Sequence, residues 1–203
     1  MIKNIIFDFG DVFINLDKEA TYRELYRLGV EEISEKMIQV YYDYEKGLIS
    51  TNDFVDYFHN EFAIEKEDLV KAWNAILLDF PLERLDFLKE LVASNKYRLF
   101  LLSNTNDLHI SWIQKDWGMD LYNEFKNCFE QFYLSHEIQM RKPNTDIYEF
   151  VLKKNNLIPS ETIFIDDTLE NTDAAEKLGI KTWTINRVED NVVDLLNREE
   201  FLV

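Results

Sequence analysis

Short apolar runs recur along the chain, and segments with helical periodicity separate most of them. The runs lie at residues 4–9, 97–103, 129–135, 162–166 and 181–186. Most are hydrophobic on both faces, which is typical of strands buried on both sides of a parallel sheet. The pattern therefore predicts five strands of one parallel sheet.

Helical segments connect the last four runs. They read DLHISWIQKDWG, NTDIYEFVLKKNN and NTDAAEKLG, and Gly179 closes the last of them as a helix C-terminal glycine. An alternation of strand and helix predicts an α/β fold with a doubly wound, Rossmann-like sheet.

The connection between the first two runs is longer than one crossover helix requires. It contains helical patterns and no convincing strand, and Ser50 with Asp53 forms a capping-box pattern at the start of one helix. Because this connection leaves the carboxyl end of the first strand, we expect a helical cap at residues 16–92 above that end. Residues 1–15 and 93–203 would then form the core domain.

Composition narrows the classes of partner. The 203 residues are 46% hydrophobic, which supports a folded core, and the net charge of -17 repels nucleic-acid backbones and anionic membranes. One cysteine, Cys128, cannot form an intramolecular disulfide, and no apolar run approaches membrane-spanning length. We therefore expect a cytoplasmic protein without nucleic-acid or membrane partners, and the sequence indicates no oligomeric state.

Polar residues follow three of the predicted strands, at the edge where open α/β sheets bind ligands. Asp8 ends the first run, Ser103 and Asn104 end the second, and Asp166 with Asp167 ends the fourth. Two adjacent acids repel each other unless a cation or hydrogen-bond donors compensate their charge. This edge of the sheet is therefore a candidate metal and anion site.

These side chains suit phosphoryl transfer. Lys142, within MRKPN, adds an ammonium group at the start of a helix. Mg²⁺ prefers oxygen ligands, and a carboxylate beside a bound phosphate can attack phosphorus to give an aspartyl-phosphate. Ser103 would hydrogen-bond a phosphoryl oxygen, while Lys142 would neutralise charge.

Four segments resemble the motifs of the haloacid dehalogenase superfamily, phosphatase branch, in their usual order. They read IIFDFGDV, FLLSNTN, MRKPNTDIYEFVL and IFIDDTLENTDAAEKLGI. The chain is most similar to the group of bacterial α-glucose-1-phosphate phosphatases and the N-terminal phosphatase domain of soluble epoxide hydrolases, which share a helical cap after the first motif. The resemblance implies a Mg²⁺-dependent phosphatase that acts on a small phosphorylated metabolite, with glucose 1-phosphate as one candidate.

The resemblance also implies roles for individual residues. It makes Asp8 the nucleophile and Lys142 the lysine that neutralises charge. The phosphate site that it implies comprises Ser103, Asn104 and Lys142. The metal site that it implies comprises Asp8, the carbonyl of Gly10, Asp166 and Asp167. Asn171 stands where many members of the family carry a further acid.

Gly10 departs from the family pattern. Most phosphatases of the family have an Asp there as general acid, a contribution typically worth roughly 10² to 10⁴ in rate. Asp11 comes one residue late, and successive side chains of an extended segment point apart, so we expect it to be a bystander. Substrates whose leaving group needs little protonation, such as an anomeric hydroxyl, would lose the least rate.

Two alternatives stay open. A metal-independent hydrolytic dehalogenase of the same superfamily also uses an Asp nucleophile without an acid two residues later, although the pair Asp166 and Asp167 argues against it. A binding or regulatory protein that keeps the phosphate site with little turnover is favoured by the loss of the acid at Gly10.

Overall fold

The computed structural model describes residues 1–198 and 201. Within this part of the chain, five parallel strands form one sheet in the order β3-β2-β1-β4-β5. The strands are β1 Asn4–Phe7, β2 Arg98–Ser103, β3 Gln131–Leu134, β4 Thr162–Asp166 and β5 Lys181–Thr184. The predicted Rossmann-like parallel sheet is confirmed, with each strand inside its predicted run.

Strand β1 lies at the centre of the sheet and joins two apolar layers. Ile5 and Phe7 pack in the layer on one face, and Ile6 packs in the layer on the other. Phe7 is paired with Leu101 of β2 and with Ile165 of β4. The chain therefore leaves β1 at the switch point of the strand order, where ligands of such sheets bind.

The helices in the described residues run in chain order as follows. They are α1 Ala20–Arg27, α2 Glu35–Glu45, α3 Thr51–Phe62, α4 Lys66–Asn74, α5 Leu82–Ser94, α6 Asp107–Trp117, α7 Met119–Lys126, α8 Ser135–Ile138, α9 Thr145–Asn155 and α10 Leu169–Glu176. The capping box predicted for α3 is present: Ser50 Oγ accepts from Asp53 N, and Asp53 Oδ2 accepts from Ser50 N. None of the described helices is both long and apolar enough to cross a membrane.

Helices α1 to α4 share an apolar cluster of their own. Tyr44 stacks on Phe54 with ring centroids 4.3 Å apart, and Trp73 meets Phe54 edge-on at 4.6 Å. Leu25 and Leu69 are buried beside them. These four helices therefore form a cap with its own core, and several of its aromatic residues serve packing.

Two segments that join this cap to the sheet are hydrogen-bonded to each other. Asn15 N donates to Asp79 O at 2.9 Å, and Leu78 N donates to Asn15 O at 3.0 Å. Helix α5, which the sequence placed in the cap at 16–92, instead packs its apolar side chains with β1 in the sheet layer. We therefore propose that the cap ends at these paired segments, before α5, rather than at residue 92.

Candidate active site

Asp8 follows β1 directly and lies beside a buried lysine. Its backbone N donates to Ile165 O at 2.8 Å, which continues the pairing of β1 with β4. Lys142 Nζ lies 2.7 Å from Asp8 Oδ1 and 2.6 Å from Asp166 Oδ2. All three side chains are buried, so one ammonium group bridges two carboxylates in a medium of low dielectric.

The charges in this cluster do not balance. Burial raises the pKa of Asp8 to about 7, and Asp166 and Asp167 act in the same direction while Lys142 opposes them. Burial opposes the charge of Lys142, but Asp166 and Asp8 attract it and leave its pKa above its ordinary value. The cluster therefore carries more negative charge than Lys142 alone offsets, which favours binding of a further cation.

Asn104 holds the backbone of Lys142. Lys142 N donates to Asn104 Oδ1 at 2.9 Å, and Asn104 Nδ2 donates to Lys142 O at 2.9 Å. The side-chain amide of Asn104, a predicted phosphate-binding residue, is thus occupied in positioning Lys142. Ser103 is buried at the end of β2 and lines the same cavity as Lys142.

Asp166 is fully hydrogen-bonded within the protein. Its Oδ1 accepts from Thr168 N at 2.8 Å and from Asn171 Nδ2 at 3.0 Å. Its Oδ2 accepts from Lys142 Nζ and, at 3.1 Å, from Asn171 Nδ2. The amide of Asn171, in place of the family's acid, therefore anchors Asp166, and both oxygens of this predicted metal ligand are engaged.

Asp167 is the more accessible of the two acids after β4. One carboxylate oxygen from each of Asp8, Asp166 and Asp167 lies within 4.8 Å of the others, a spacing at which they can hold one metal ion. Oxygen donors of this kind suit Mg²⁺. Lys18, in the segment that enters the cap, forms an ion pair with Asp167 and was not predicted, because a lone lysine after a strand carries no sequence signal.

Gly10 and Asp11 differ in where they lie. Gly10 lines the cavity that contains Asp8, whereas Asp11 lies in a neighbouring depression with Arg187. Asp11 has a backbone φ of 53°, and its Oδ1 accepts from Leu16 N at 3.0 Å and from Arg187 Nη1 at 3.3 Å. Its Oδ1 therefore stabilises the turn after β1, while its Oδ2 lies 3.4 Å from Lys18 Nζ.

The cap closes over the end of β1. The cavity beside Asp8 has a volume of about 430 Å³, and α2 contributes to its wall. Glu45, at the end of α2, accepts from Arg141 Nε at 2.8 Å and from Tyr41 Oη at 2.6 Å. Arg141 also lies over the Tyr42 ring at 4.1 Å. These four residues line the cavity and join cap to core, and the sequence did not identify their role.

Comparison with known proteins finds relatives along nearly the whole chain. The sequence profile described as haloacid dehalogenase-like hydrolase matches residues 5–185. The chain is 29% identical over 190 residues to a D-ribitol-5-phosphate phosphatase from Bacteroides thetaiotaomicron, a match that covers 90% of this chain and 91% of that protein.

Solved structures share the fold. A magnesium complex of a HAD family enzyme from Bacteroides thetaiotaomicron has a TM-score of 0.82 and 38% identity, covering 93% of this chain and 96% of that chain. A complex of such an enzyme with magnesium and inorganic phosphate has a TM-score of 0.79 and 35% identity, covering 94% of this chain and 97% of that chain. Similar enzymes thus bind magnesium, and the Asp cluster of this chain can hold a metal ion. The chain belongs to the haloacid dehalogenase-like hydrolases.

Proposed function

We propose that the protein is a Mg²⁺-dependent phosphatase that hydrolyses a small phosphorylated metabolite through an aspartyl-phosphate on Asp8. The observation that carries the proposal is the buried bridge from Lys142 to Asp8 and Asp166, with Asp167 beside it. A lysine in this position holds one carboxylate oxygen and leaves a cationic group beside an incoming phosphate.

The residues divide the work as follows. Lys142 holds Asp8 Oδ1, and the other oxygen of Asp8 attacks phosphorus while the bond from phosphorus to the alcohol oxygen breaks. The alcohol oxygen leaves with the bonding electrons and takes a proton from water. Water then attacks the same phosphorus, which releases inorganic phosphate and restores the carboxylate. Ser103 would donate to a phosphoryl oxygen.

The donor set favours one arrangement of the metal site. Mg²⁺ would be held by Asp8, the Gly10 carbonyl and Asp167, and it would offset the repulsion between these carboxylates and the phosphate. Asp166, whose two oxygens are engaged by Lys142, Asn171 and the backbone, would instead fix the position of Lys142.

Two substrate classes are candidates. The named relative acts on D-ribitol 5-phosphate, an ester of a polyol, so polyol and sugar phosphates are the first class to examine. Glucose 1-phosphate is favoured by the chemistry, because its anomeric oxygen leaves with little protonation and Gly10 supplies no acid. D-ribitol 5-phosphate is a primary ester, and its leaving alcohol needs more protonation than an anomeric oxygen does.

The test is turnover of D-ribitol 5-phosphate, glucose 1-phosphate, p-nitrophenyl phosphate and chloroacetate, each with Mg²⁺ and with EDTA. Release of phosphate that requires Mg²⁺ is the expected result. Chloride release that is equal in Mg²⁺ and EDTA, with no phosphate release, would establish the dehalogenase alternative. Stabilisation by inorganic phosphate without turnover of any ester would establish the binding protein.

A further inference from the structure

His109 is placed where it can contact the alcohol part of a substrate. It lies in the first turn of α6, and its backbone N donates to Asn106 Oδ1 at 3.1 Å. Its side chain lines the cavity that contains Asp8 and Lys142. It also lines a second, more apolar cavity of about 250 Å³ within the cap, so it stands at the wall that the two spaces share.

The hydrogen bonds of Asn74 set the tautomer of His109. Asn74 Nδ2 donates to Val70 O at 2.9 Å, which directs the amide oxygen of Asn74 to His109 Nδ1 at 3.0 Å. An amide oxygen only accepts, so Nδ1 carries the hydrogen. The other ring nitrogen, Nε2, is then unprotonated and can accept a hydrogen bond.

The imidazole is held in place and stays neutral. Its ring lies nearly parallel to that of Trp73, with an interplanar angle of 9° and centroids 6.0 Å apart. Burial lowers the pKa of His109 to about 3, with a smaller contribution from His136. Among the described residues Nε2 has no hydrogen-bond partner, so this nitrogen of a cavity-lining residue is available as an acceptor.

An acceptor in this cavity selects for donors. Phosphate oxygens are acceptors when ionised, so an unprotonated imidazole nitrogen does not bind the phosphoryl group. Two other polar atoms of the wall are already paired, since Tyr41 Oη donates to Glu45 and Arg141 Nε donates to the same carboxylate. A hydroxyl group on the alcohol part of the ester is the donor that fits.

We propose that His109 Nε2 accepts a hydrogen bond from a hydroxyl group of the leaving alcohol and so selects polyhydroxylated phosphate esters over alkyl esters of the same length. This inference rests on the proposed phosphatase function and names a specificity-determining residue for it. The group acts in binding, because it stays an uncharged acceptor throughout the reaction.

The test compares D-ribitol 5-phosphate with n-pentyl phosphate, two primary esters with five-carbon chains that differ in their hydroxyl groups. His109→Phe keeps an aromatic ring beside Trp73 and removes the acceptor. We expect kcat/KM for the ribitol ester to fall about tenfold, mostly through KM, because one hydrogen bond to a hydroxyl is lost. Turnover of the pentyl ester should change less than twofold.

The matched control is His59→Phe. His59 also uses Nδ1 in a hydrogen bond, to Ile64 O, but it lies in the cap away from both cavities. His59→Phe should leave the ratio of kcat/KM for D-ribitol 5-phosphate to kcat/KM for n-pentyl phosphate unchanged. An equal effect of His109→Phe on both esters would overturn the proposal. The proposed function itself would be overturned instead if the wild type released phosphate from neither of these esters, nor from glucose 1-phosphate or p-nitrophenyl phosphate.

A second measurement does not depend on turnover or on the stability of His109→Phe. In Asp8→Asn protein, ¹⁵N NMR of the imidazole should show His109 protonated at Nδ1 only. Adding D-ribitol 5-phosphate should shift the Nε2 signal, and n-pentyl phosphate should not. An Nε2 that carries hydrogen, or equal shifts with the two esters, would contradict the assignment.

Discussion

Lys142 Nζ lies 2.7 Å from Asp8 Oδ1, and neither side chain is more than 11% exposed. The ion pair joins residues 134 positions apart in the chain, and Asp166 completes it on the other side. A buried lysine is stable as a cation only where carboxylates are fixed beside it. The carboxylate that we propose as the nucleophile is therefore oriented before any ligand binds.

Asp8→Asn should abolish turnover and preserve the fold. The amide is nearly isosteric with the carboxylate but cannot attack phosphorus, so kcat should fall below a few per cent of the wild-type value. Phosphate release under saturating substrate measures it, with far-UV circular dichroism as the check on folding. Asp11→Asn is the control, because Asp11 accepts from Leu16 N and does not line the cavity of Asp8. Substantial residual activity in Asp8→Asn would remove Asp8 from the nucleophile role.

Asp166→Ala should be strongly destabilising. It leaves Lys142 with one carboxylate, and it leaves Thr168 N and Asn171 Nδ2 without their acceptor. Removing one partner of a buried ion pair typically costs about 3 to 5 kcal/mol, which urea denaturation measures.

Asp167→Ala is the matched comparison for that measurement. The Asp167 side chain is 9% exposed, but its partner Lys18 is 52% exposed, so solvent can replace the lost partner and the loss should be smaller than that in Asp166→Ala. Equal losses in the two variants would show that Asp166 is not the anchor of Lys142.

Strand ends were predictable from the sequence because three of the apolar runs end in candidate polar residues. Asp8, Ser103 and Asp166 could therefore be placed at one edge of the sheet once the strands were recognised as parallel. The sequence also placed Lys142 with these side chains, but the contacts that hold it between Asp8 and Asp166 depend on side-chain packing.

Contacts between cap and core were not predictable in the same way. Glu45 and Arg141 are 96 residues apart, and a charged residue at the end of an amphipathic helix is ordinarily solvated. Helix α5 was assigned to the cap because it precedes β2 and shows no strand pattern. Periodicity identifies which face of a helix is apolar, but it does not say which apolar layer that face joins.

Mg²⁺ should stabilise the wild type and not Asp167→Ala. A ligand that binds only the folded state raises its free energy of unfolding, by about 2.7 kcal/mol at a hundredfold excess over the dissociation constant. Thermal unfolding with Mg²⁺ and with EDTA measures the shift without any substrate. Asp43→Ala is a control for the loss of one negative charge, because Asp43 lies on the exposed side of α2 and bonds Gln39. A Mg²⁺-induced shift of wild-type size in Asp167→Ala would rule out Asp167 as a metal ligand.

Without metal, the wild type should lose stability relative to Asp8→Asn as pH rises. Folding raises the pKa of Asp8 from 3.8 to about 7, so the folded protein holds this proton more tightly than the unfolded chain. The tighter binding of this proton stabilises the folded state fully below about pH 4. This stabilisation, on the order of 4 kcal/mol in the free energy of unfolding, is lost as pH rises through about 7. Urea denaturation of both proteins in EDTA at several pH values measures the difference.

Saturating Mg²⁺ provides the control for that titration. A bound cation favours the ionised carboxylate, so the pH dependence of the difference between the two proteins should become small. A difference that is constant with pH in EDTA would contradict the raised pKa of Asp8.

Gly10→Asp should selectively accelerate alkyl esters, provided that Leu16 can move. Asp11 is directed to Leu16 N and Arg187, so the wild type has no carboxylic acid at the family position, and its rate should depend steeply on leaving-group acidity. The backbone of Gly10 does not have a positive φ, but a Cβ there would lie 2.6 Å from Leu16 Cδ1. The added acid is worth up to roughly 10² to 10⁴ in rate.

The contact with Leu16 makes a double variant the sharper experiment. Gly10→Asp combined with Leu16→Ala removes the overlap, and Leu16→Ala alone is its control for altered packing. We expect kcat for n-pentyl phosphate to rise in the double variant by at least tenfold over Leu16→Ala, while kcat for p-nitrophenyl phosphate, whose leaving group needs no proton, stays within about twofold. If Asp11→Asn instead reduces turnover of the alkyl ester a hundredfold and leaves turnover of the aryl ester unchanged, Asp11 is the general acid. Its carboxylate must then move from Leu16 into the cavity during the reaction.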